Sequence, residues 1–219
     1  MVRIFAMNIT GHDFEDCRWN AYLSEVRRLE AAKRKQAKNR QSFLAAEVLL
    51  NRALECLDVG VQLPAVYERN VHGKPYLKPD YGIYVNWSHS GDYVLCATAD
   101  QEVGVDIQET SKMPLESMVR KVLTPEESAF YESCKVEQQK NCFYQYWTLK
   151  ESFLKALGTG FYTSLAQFYI ELKEEPPRVV QNINEKNYAC RLLELKEDGY
   201  IAAVCSESAL DEVTVEYIL

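Results

Sequence analysis

Apolar and polar positions recur along this chain with two periods, and each change of period marks a predicted element. A short apolar run predicts a first strand over residues 2–9, after which Tyr22, Val26 and Leu29 take up helical spacing. Phe43, Ala46, Leu50, Ala53 and Leu57 predict a longer helix. Gly60 and Pro64 mark a loop, and Gly73-Lys74-Pro75 a tight turn beside a strand in VYERNVHGKPYL. Strands are predicted at 83–87, 93–98 and 103–107, joined by short polar links.

The second half runs helix, helix, strands. Thr124-Pro125-Glu126-Glu127 is a helix start, with a threonine cap, proline in the first turn and acids at the positive end of the dipole. A central helix is predicted over 141–157, with Phe143, Trp147, Leu154 and Leu157 as its apolar stripe and Gly158 and Gly160 as its stop. Strands at 168–172, 188–195, 200–205 and 213–219 finish the chain. The halves echo each other: Gly91–Val94 leads through a strand to Val103–Ile107, and Gly199–Ile201 leads likewise to Val213–Tyr217. The expectation is an α+β fold of two similar halves, 1–102 and 103–219, with a cleft between them. No Pro/Ser-rich linker separates the halves, so they should pack as one body.

Composition narrows the function classes. With 219 residues, 47% hydrophobic and 26% charged, the chain reads as soluble and globular. No apolar run approaches the roughly 20 residues of a membrane span, and the first residues lack a signal-peptide pattern, so a cytoplasmic location is expected. The seven cysteines form no CxxC pair, and several sit in apolar strand-like runs; buried reduced thiols are expected rather than disulfides or a zinc site. A net charge of −7 excludes a general nucleic-acid binder. Between Arg27 and Arg40, however, there are seven basic residues and one acid. That run is either a solvated helix face or a cradle for a small polyanion.

Three segments carry candidate chemistry. In VGVDIQ, Asp106 and Gln108 share the strand face opposite Val103, Val105 and Ile107. The segment YWTLKESFLKALGTG presents Lys150, Glu151 and Lys155, the last two spaced as neighbours on a helix, one turn beyond Trp147. Asp, Glu and a Gln carbonyl are hard oxygen ligands suited to Mg²⁺, which completes its shell with water and substrate phosphates. In NWSHSG, Ser88 and His89 stand at a strand end; the context is not a GxSxG elbow, and it suits a phosphate better than a hydrolase triad. Singly, each also fits a plain structural role: an exposed strand face, a surface ion pair, a structural histidine.

Taken in order, NWSHSG, GVDIQ and WTLKESFLKALGTG resemble the 4′-phosphopantetheinyl transferases, specifically the larger, pseudo-dimeric type that activates peptide synthetases, polyketide synthases and fatty acid carriers. HGKPYL and the basic segment extend the resemblance over most of the chain. It implies antiparallel sheets with a central helix in each half, in a monomer that is an internal pseudo-dimer. It implies Mg²⁺ held by Asp106, Gln108 and Glu151, and coenzyme A as substrate, contacted by Lys33, Arg40, Lys74, Ser88, His89, Lys150 and Lys155. Asp106, Glu151 and Lys155 would be catalytic, and the partner an acyl or peptidyl carrier protein, with neither nucleic acid nor membrane involved. Many relatives carry Glu where this chain has Gln108, so one charge is missing from the implied metal shell. The alternative is a non-catalytic coenzyme A or carrier-protein binding module; an ATP phosphotransferase is the weaker rival, since no GxxxxGK[ST] loop is present. Residues 113–120 read equally as a carrier docking surface and as ordinary helix packing.

Overall fold

The computed structural model describes residues 1–111, 115–211 and 213–218, and of residues 115, 116 and 161 the backbone alone. Met113 of the candidate docking segment and Leu219 of the last predicted strand lie outside the described residues.

In chain order the elements are β1 (Arg3–Asn8), α1 (Glu25–Ala32), α2 (Ala37–Leu57), β2 (Val66–Arg69), β3 (Pro75–Lys78), β4 (Tyr84–Ser90), β5 (Tyr93–Ala99) and β6 (Val103–Glu109). They continue with α3 (Leu115–Val122), α4 (Pro125–Ser133), α5 (Val136–Leu157), β7 (Phe168–Glu171), β8 (Arg178–Gln181), β9 (Ala189–Leu193), β10 (Tyr200–Ser206) and β11 (Val215–Tyr217). One sheet runs β11-β1-β5-β4, a second β6-β10-β9-β8-β7, and β2 and β3 form a separate hairpin.

The two halves share a topology. Each opens with a strand, β1 or β6, follows it with a long helix, α2 or α5, and closes with a hairpin whose second strand pairs back onto the first. The internal echo therefore matches β6 to β1. The sequence pattern had matched it to β11, because both carry an acid among β-branched residues. Strand β11 instead crosses over and pairs parallel with β1, Ile4 opposite Val215, tying the end of the chain to the first half.

Side-chain alternation places the layers. On β1 and β5, Phe5, Met7, Val94 and Cys96 face a core with Leu44, Val48 and Leu49 of α2. Ile4, Ala6, Leu95 and Ala97 face the other way, onto Val103, Val105 and Ile107 of β6 and Ala202 and Val204 of β10. Beyond the second sheet lies a further core, where Ala203 and Cys205 meet Phe143, Leu149 and Phe153 of α5. The order of layers is helix, sheet, sheet, helix. Strand β6 is thus covered on both faces, by the first sheet on its valine side and by α5 on the side of Gly104, Asp106 and Gln108.

Gly104 makes that second contact possible. A Cβ there would collide with the backbone of Ser152 and Ala156 on α5 and lie 2.8 Å from the Lys155 carbonyl carbon. Gly104→Ala is expected to destabilise the fold by about 3 kcal/mol, because backbone cannot move aside as a side chain can. Chemical denaturation checks this; a loss below ~0.5 kcal/mol would mean α5 yields freely.

Helix ends follow their local chemistry. Thr124 and Glu127 form a reciprocal capping box on α4, and Gly158, at φ 75°, closes α5 in the left-handed region. Helix α5 begins five residues before the predicted start, at Val136, because its first turns are polar and lack the apolar stripe that periodicity detects. In α3, Met118 and Val119 pack against the C-terminal core. Among the described residues no helix is long and apolar enough to cross a membrane.

Candidate active site

Strand β6 and helix α5 build the site between them. Asp106 is 6% exposed, so the alternative of VGVDIQ as a plain exposed strand face falls away: its polar face is the one that α5 covers. Asp106 Oδ1 accepts from Lys155 Nζ at 2.7 Å and from Ser88 Oγ at 2.8 Å. Lys155 Nζ also donates to the Val105 carbonyl at 3.0 Å. Glu151, one turn before Lys155, sits close enough for the Asp106 charge to act on its carboxyl.

The alternation of NWSHSG has a structural purpose. Asn86, Ser88 and Ser90 form rungs from β4 to β6: Asn86 Oδ1 accepts from Val105 N at 3.0 Å, Ser88 donates to Asp106, and Ser90 Oγ accepts from Glu109 N at 2.9 Å. The seam between the halves is therefore held by three short polar side chains, the middle one ending on the carboxylate. Trp87 and His89 project to the opposite side. Partial desolvation, then the charges of Lys155, Arg27 and Arg34, lowers the pKa of His89.

Two buried carboxylate oxygens, Asp106 Oδ2 and Glu151 Oε1, have no hydrogen-bond partner among the described residues. An unpaired carboxylate oxygen in a dry site is costly, and two on facing elements form the donor set that a hard divalent cation satisfies. Gln108 follows Asp106 on the same face of β6, half-buried, with a carbonyl oxygen as a possible third donor. Among the described residues no three His, Cys, Asp or Glu side chains gather into a metal site, here or elsewhere, so the candidate donors are two carboxylates and an amide.

Burial, then the Asp106 charge, pushes the Glu151 carboxyl up from 4.5 to about 7, against the opposing pull of Lys155. Between those values the folded, metal-free chain holds a proton that the unfolded chain has released, so this group removes stability as pH rises through the window. Glu151→Gln is expected to flatten that slope and raise the metal-free protein's stability at pH 8 by about 1–3 kcal/mol. Denaturation with a chelator at pH 5 and pH 8 measures it; an unchanged slope would refute the account.

The other expected site residues are placed less uniformly. Lys74 does not present its ammonium to the cleft: it is 6% exposed, donates to the Ala156 and Val103 carbonyls at 2.7 and 3.1 Å, and pairs with Glu102. With Asn70 Nδ2 on the Gly158 carbonyl at 2.9 Å, it clasps the β2–β3 turn to the end of α5. Lys150 is likewise inside the second core, paired with Glu127 at 2.8 Å and donating to the Leu165 carbonyl at 3.0 Å. A lysine next to Glu151 in sequence points to the other side of a helix, which is why proximity misled. Lys33 is exposed at the end of α1, and Arg40 bonds Glu15 at 3.2 Å. Within the basic run, Arg27 and Arg34 are the residues whose charges reach His89.

Arg27, Arg34 and Arg69 lie near the site and were not singled out by pattern reading. Arg27 is 2% exposed, donates to the Phe43 carbonyl at 2.6 and 3.0 Å, and lies 3.5 Å over the Phe43 ring, with Arg34 3.7 Å from the same ring centre. Arg69, with Trp87, Asn86 and Lys155, lines a cavity of about 190 Å³ between the β2–β3 turn, β4 and α5. Only the density of basic residues signalled the first two; nothing in the sequence singled out Arg69. A larger cavity, about 1010 Å³, lies between the first turns of α5 and β9 and contains neither carboxylate.

A family model described as the 4′-phosphopantetheinyl transferase superfamily matches residues 102–205, the span from the start of β6 to the end of β10. The chain is 32% identical to the 4′-phosphopantetheinyl transferase HetI of Nostoc sp. over 173 residues, covering 76% of this chain and 70% of that one. It is 31% identical over 145 residues to the 4′-phosphopantetheinyl transferase gsp of Aneurinibacillus migulanus, covering 64% of this chain and 58% of that relative's length. Among solved structures, a holo-(acyl-carrier-protein) synthase from Bacillus anthracis in complex with CoA (3′,5′-ADP) aligns with 48% of this chain and 92% of its own, at 20% identity and a TM-score of 0.42. The paired acids of β6 and α5 sit inside the matched span, and the chain belongs to the 4′-phosphopantetheinyl transferase family.

Proposed function

We propose that this chain transfers the 4′-phosphopantetheine group of coenzyme A to a serine hydroxyl of an acyl or peptidyl carrier protein, with Mg²⁺, acting as a cytoplasmic monomer. The single observation that carries the reading is the pair of partnerless buried oxygens on Asp106 and Glu151 beside the Lys155 ammonium. Family membership supports the reaction type.

Asp106, Glu151 and the Gln108 carbonyl would hold the cation. Bound there, it would supply charge neutralisation for a diphosphate. The serine oxygen attacks the β-phosphorus of coenzyme A, the bond to the bridging oxygen breaks, and adenosine 3′,5′-bisphosphate leaves. Glu151, or a water held by it, takes the serine proton. Lys155 offsets negative charge as the anhydride opens. Arg34 and His89, both exposed, would meet the remaining phosphate, buried Arg27 would add only its charge, and neutral His89 is ready to gain a proton when an anion binds. Lys33 and Arg40 form an outer basic rim. Ser88 acts through Asp106, fixing its carboxylate, rather than as a free phosphate donor.

Incubation of an apo carrier protein with coenzyme A and Mg²⁺ tests the proposal. A mass gain of about 340 Da on the carrier is expected. Coenzyme A binding without any gain would instead favour a non-catalytic binding module.

Gln108 makes a second outcome specific to this chain. With one carboxylate fewer at the cation, the Mg²⁺ requirement is expected to be high, and Gln108→Glu should lower the half-saturating Mg²⁺ concentration by roughly tenfold. Identical Mg²⁺ titrations of the two proteins would exclude Gln108 from the shell.

A further inference from the structure

All seven cysteines were expected to be reduced thiols, yet Cys190 meets Cys205, as Cys134 meets Cys142. Cys190 on β9 and Cys205 on β10 are direct register partners in an antiparallel pair. Both are 0% exposed, and their sulfurs lie 3.0 Å apart. Directly opposed residues of such a pair have Cα atoms about 4.5–5.5 Å apart, inside the roughly 4.4–6.8 Å that a disulfide spans. A bond here would need rotation about the side chains, and no strand would have to move. We propose that Cys190 and Cys205 form an oxidant-responsive dithiol, closing to a cross-strand disulfide with a small hydroperoxide and reopening with a thiol reductant.

The chemistry balances with the peroxide as the only co-reactant. The Cys205 sulfur attacks one peroxide oxygen, the O–O bond breaks, and a sulfenic acid and one water result. The Cys190 sulfur then attacks the sulfenic sulfur, the S–S bond forms, the S–O bond breaks, and a second water leaves. Two thiols give up two electrons and two protons, and the peroxide becomes two waters.

The surroundings assign the order. Burial raises the Cys205 thiol, and the Lys74 ammonium opposes that rise. Lys74 is fixed by the Ala156 and Val103 carbonyls and paired with Glu102, which opposes the lowering of its pKa by burial. Full burial also sets the oxidant: hydrogen peroxide can enter during local opening, whereas a bulky disulfide reagent cannot. The bond would lock β9 to β10, the strand paired with β6, Ala203 opposite Asp106. The proposal is independent of the transferase reading.

The experiment exposes the folded wild-type protein to hydrogen peroxide, quenches it, alkylates under denaturing conditions and maps peptides without reduction. The expected product is a linked pair of peptides holding Cys190 and Cys205, about 2 Da lighter than the sum of the reduced peptides and separated by dithiothreitol. Cys190→Ser and Cys205→Ser should each abolish the link; the wild-type map decides the question even if those variants fold poorly. The proposal is overturned if both thiols are fully alkylated on later denaturation of protein that stayed folded through a peroxide treatment that oxidises exposed Cys17 and Cys56. It is also overturned if the link forms only after unfolding.

Discussion

Asp106→Ala is expected to reduce carrier-protein modification by at least ~10³-fold at saturating coenzyme A while the fold survives. The removed carboxylate does two things at once. Its Oδ2, the proposed cation donor, has no hydrogen-bond partner among the described residues, and its Oδ1 holds both Lys155 and Ser88. Loss of the first removes the cation site; loss of the second leaves the Lys155 ammonium without its fixed counter-charge. The structural cost is smaller, about 1–3 kcal/mol for two unmade hydrogen bonds, so the loss of rate cannot be ascribed to unfolding. Asp106→Asn separates the parts: the amide oxygen can still accept from Ser88, but it carries no charge for a metal. Intact-mass measurement of the carrier over time, with thermal denaturation as a control, reads the result. A rate within tenfold of the parent protein in either variant would refute the site.

Lys150→Met should be the most destabilising of the lysine substitutions, by about 3–5 kcal/mol. Both members of the Lys150–Glu127 pair are 0% exposed at their side chains, 2.8 Å apart. Glu127 also accepts from Thr124 N and Ile170 N, each at 2.8 Å, so one carboxylate joins the start of α4, strand β7 and α5. Removing the ammonium leaves that carboxylate charged and dry. The double variant Lys150→Met/Glu127→Leu should recover part of the loss, because it removes both charges, though Thr124 N and Ile170 N then lose their acceptor. Urea denaturation of the three proteins measures this. A Lys150→Met variant of parental stability but weaker coenzyme A affinity would return Lys150 to the substrate site.

How far the pattern of residues reached differs by element. It located the two long helices and the strands around the site, because burial on one face imposes a period that survives in composition. It missed β8, four residues with no alternation of their own, and the polar first turns of α5. It placed Asp106, Glu151 and Lys155 correctly as neighbours-to-be, since strand and helix each display them on a definite face. It expected Lys74 and Lys150 at coenzyme A, and the structure buries both. Whether a lysine ammonium meets water or two carbonyls and a carboxylate depends on what packs over it.

By itself, then, the order of amino acids determined the local geometry: which residues share a face, where helices stop, and which acids and bases lie on the elements that matter. Only the tertiary structure decided which faces become interior. The packing of α5 onto Gly104 buries Asp106, strips partners from two carboxylate oxygens and raises Glu151 toward neutrality. The same packing turns two other lysines into internal clasps and sets Cys190 against Cys205. The physical reason is range: backbone preference acts over a few neighbouring residues, whereas desolvation and Coulomb interactions depend on atoms that the chain brings together from far apart.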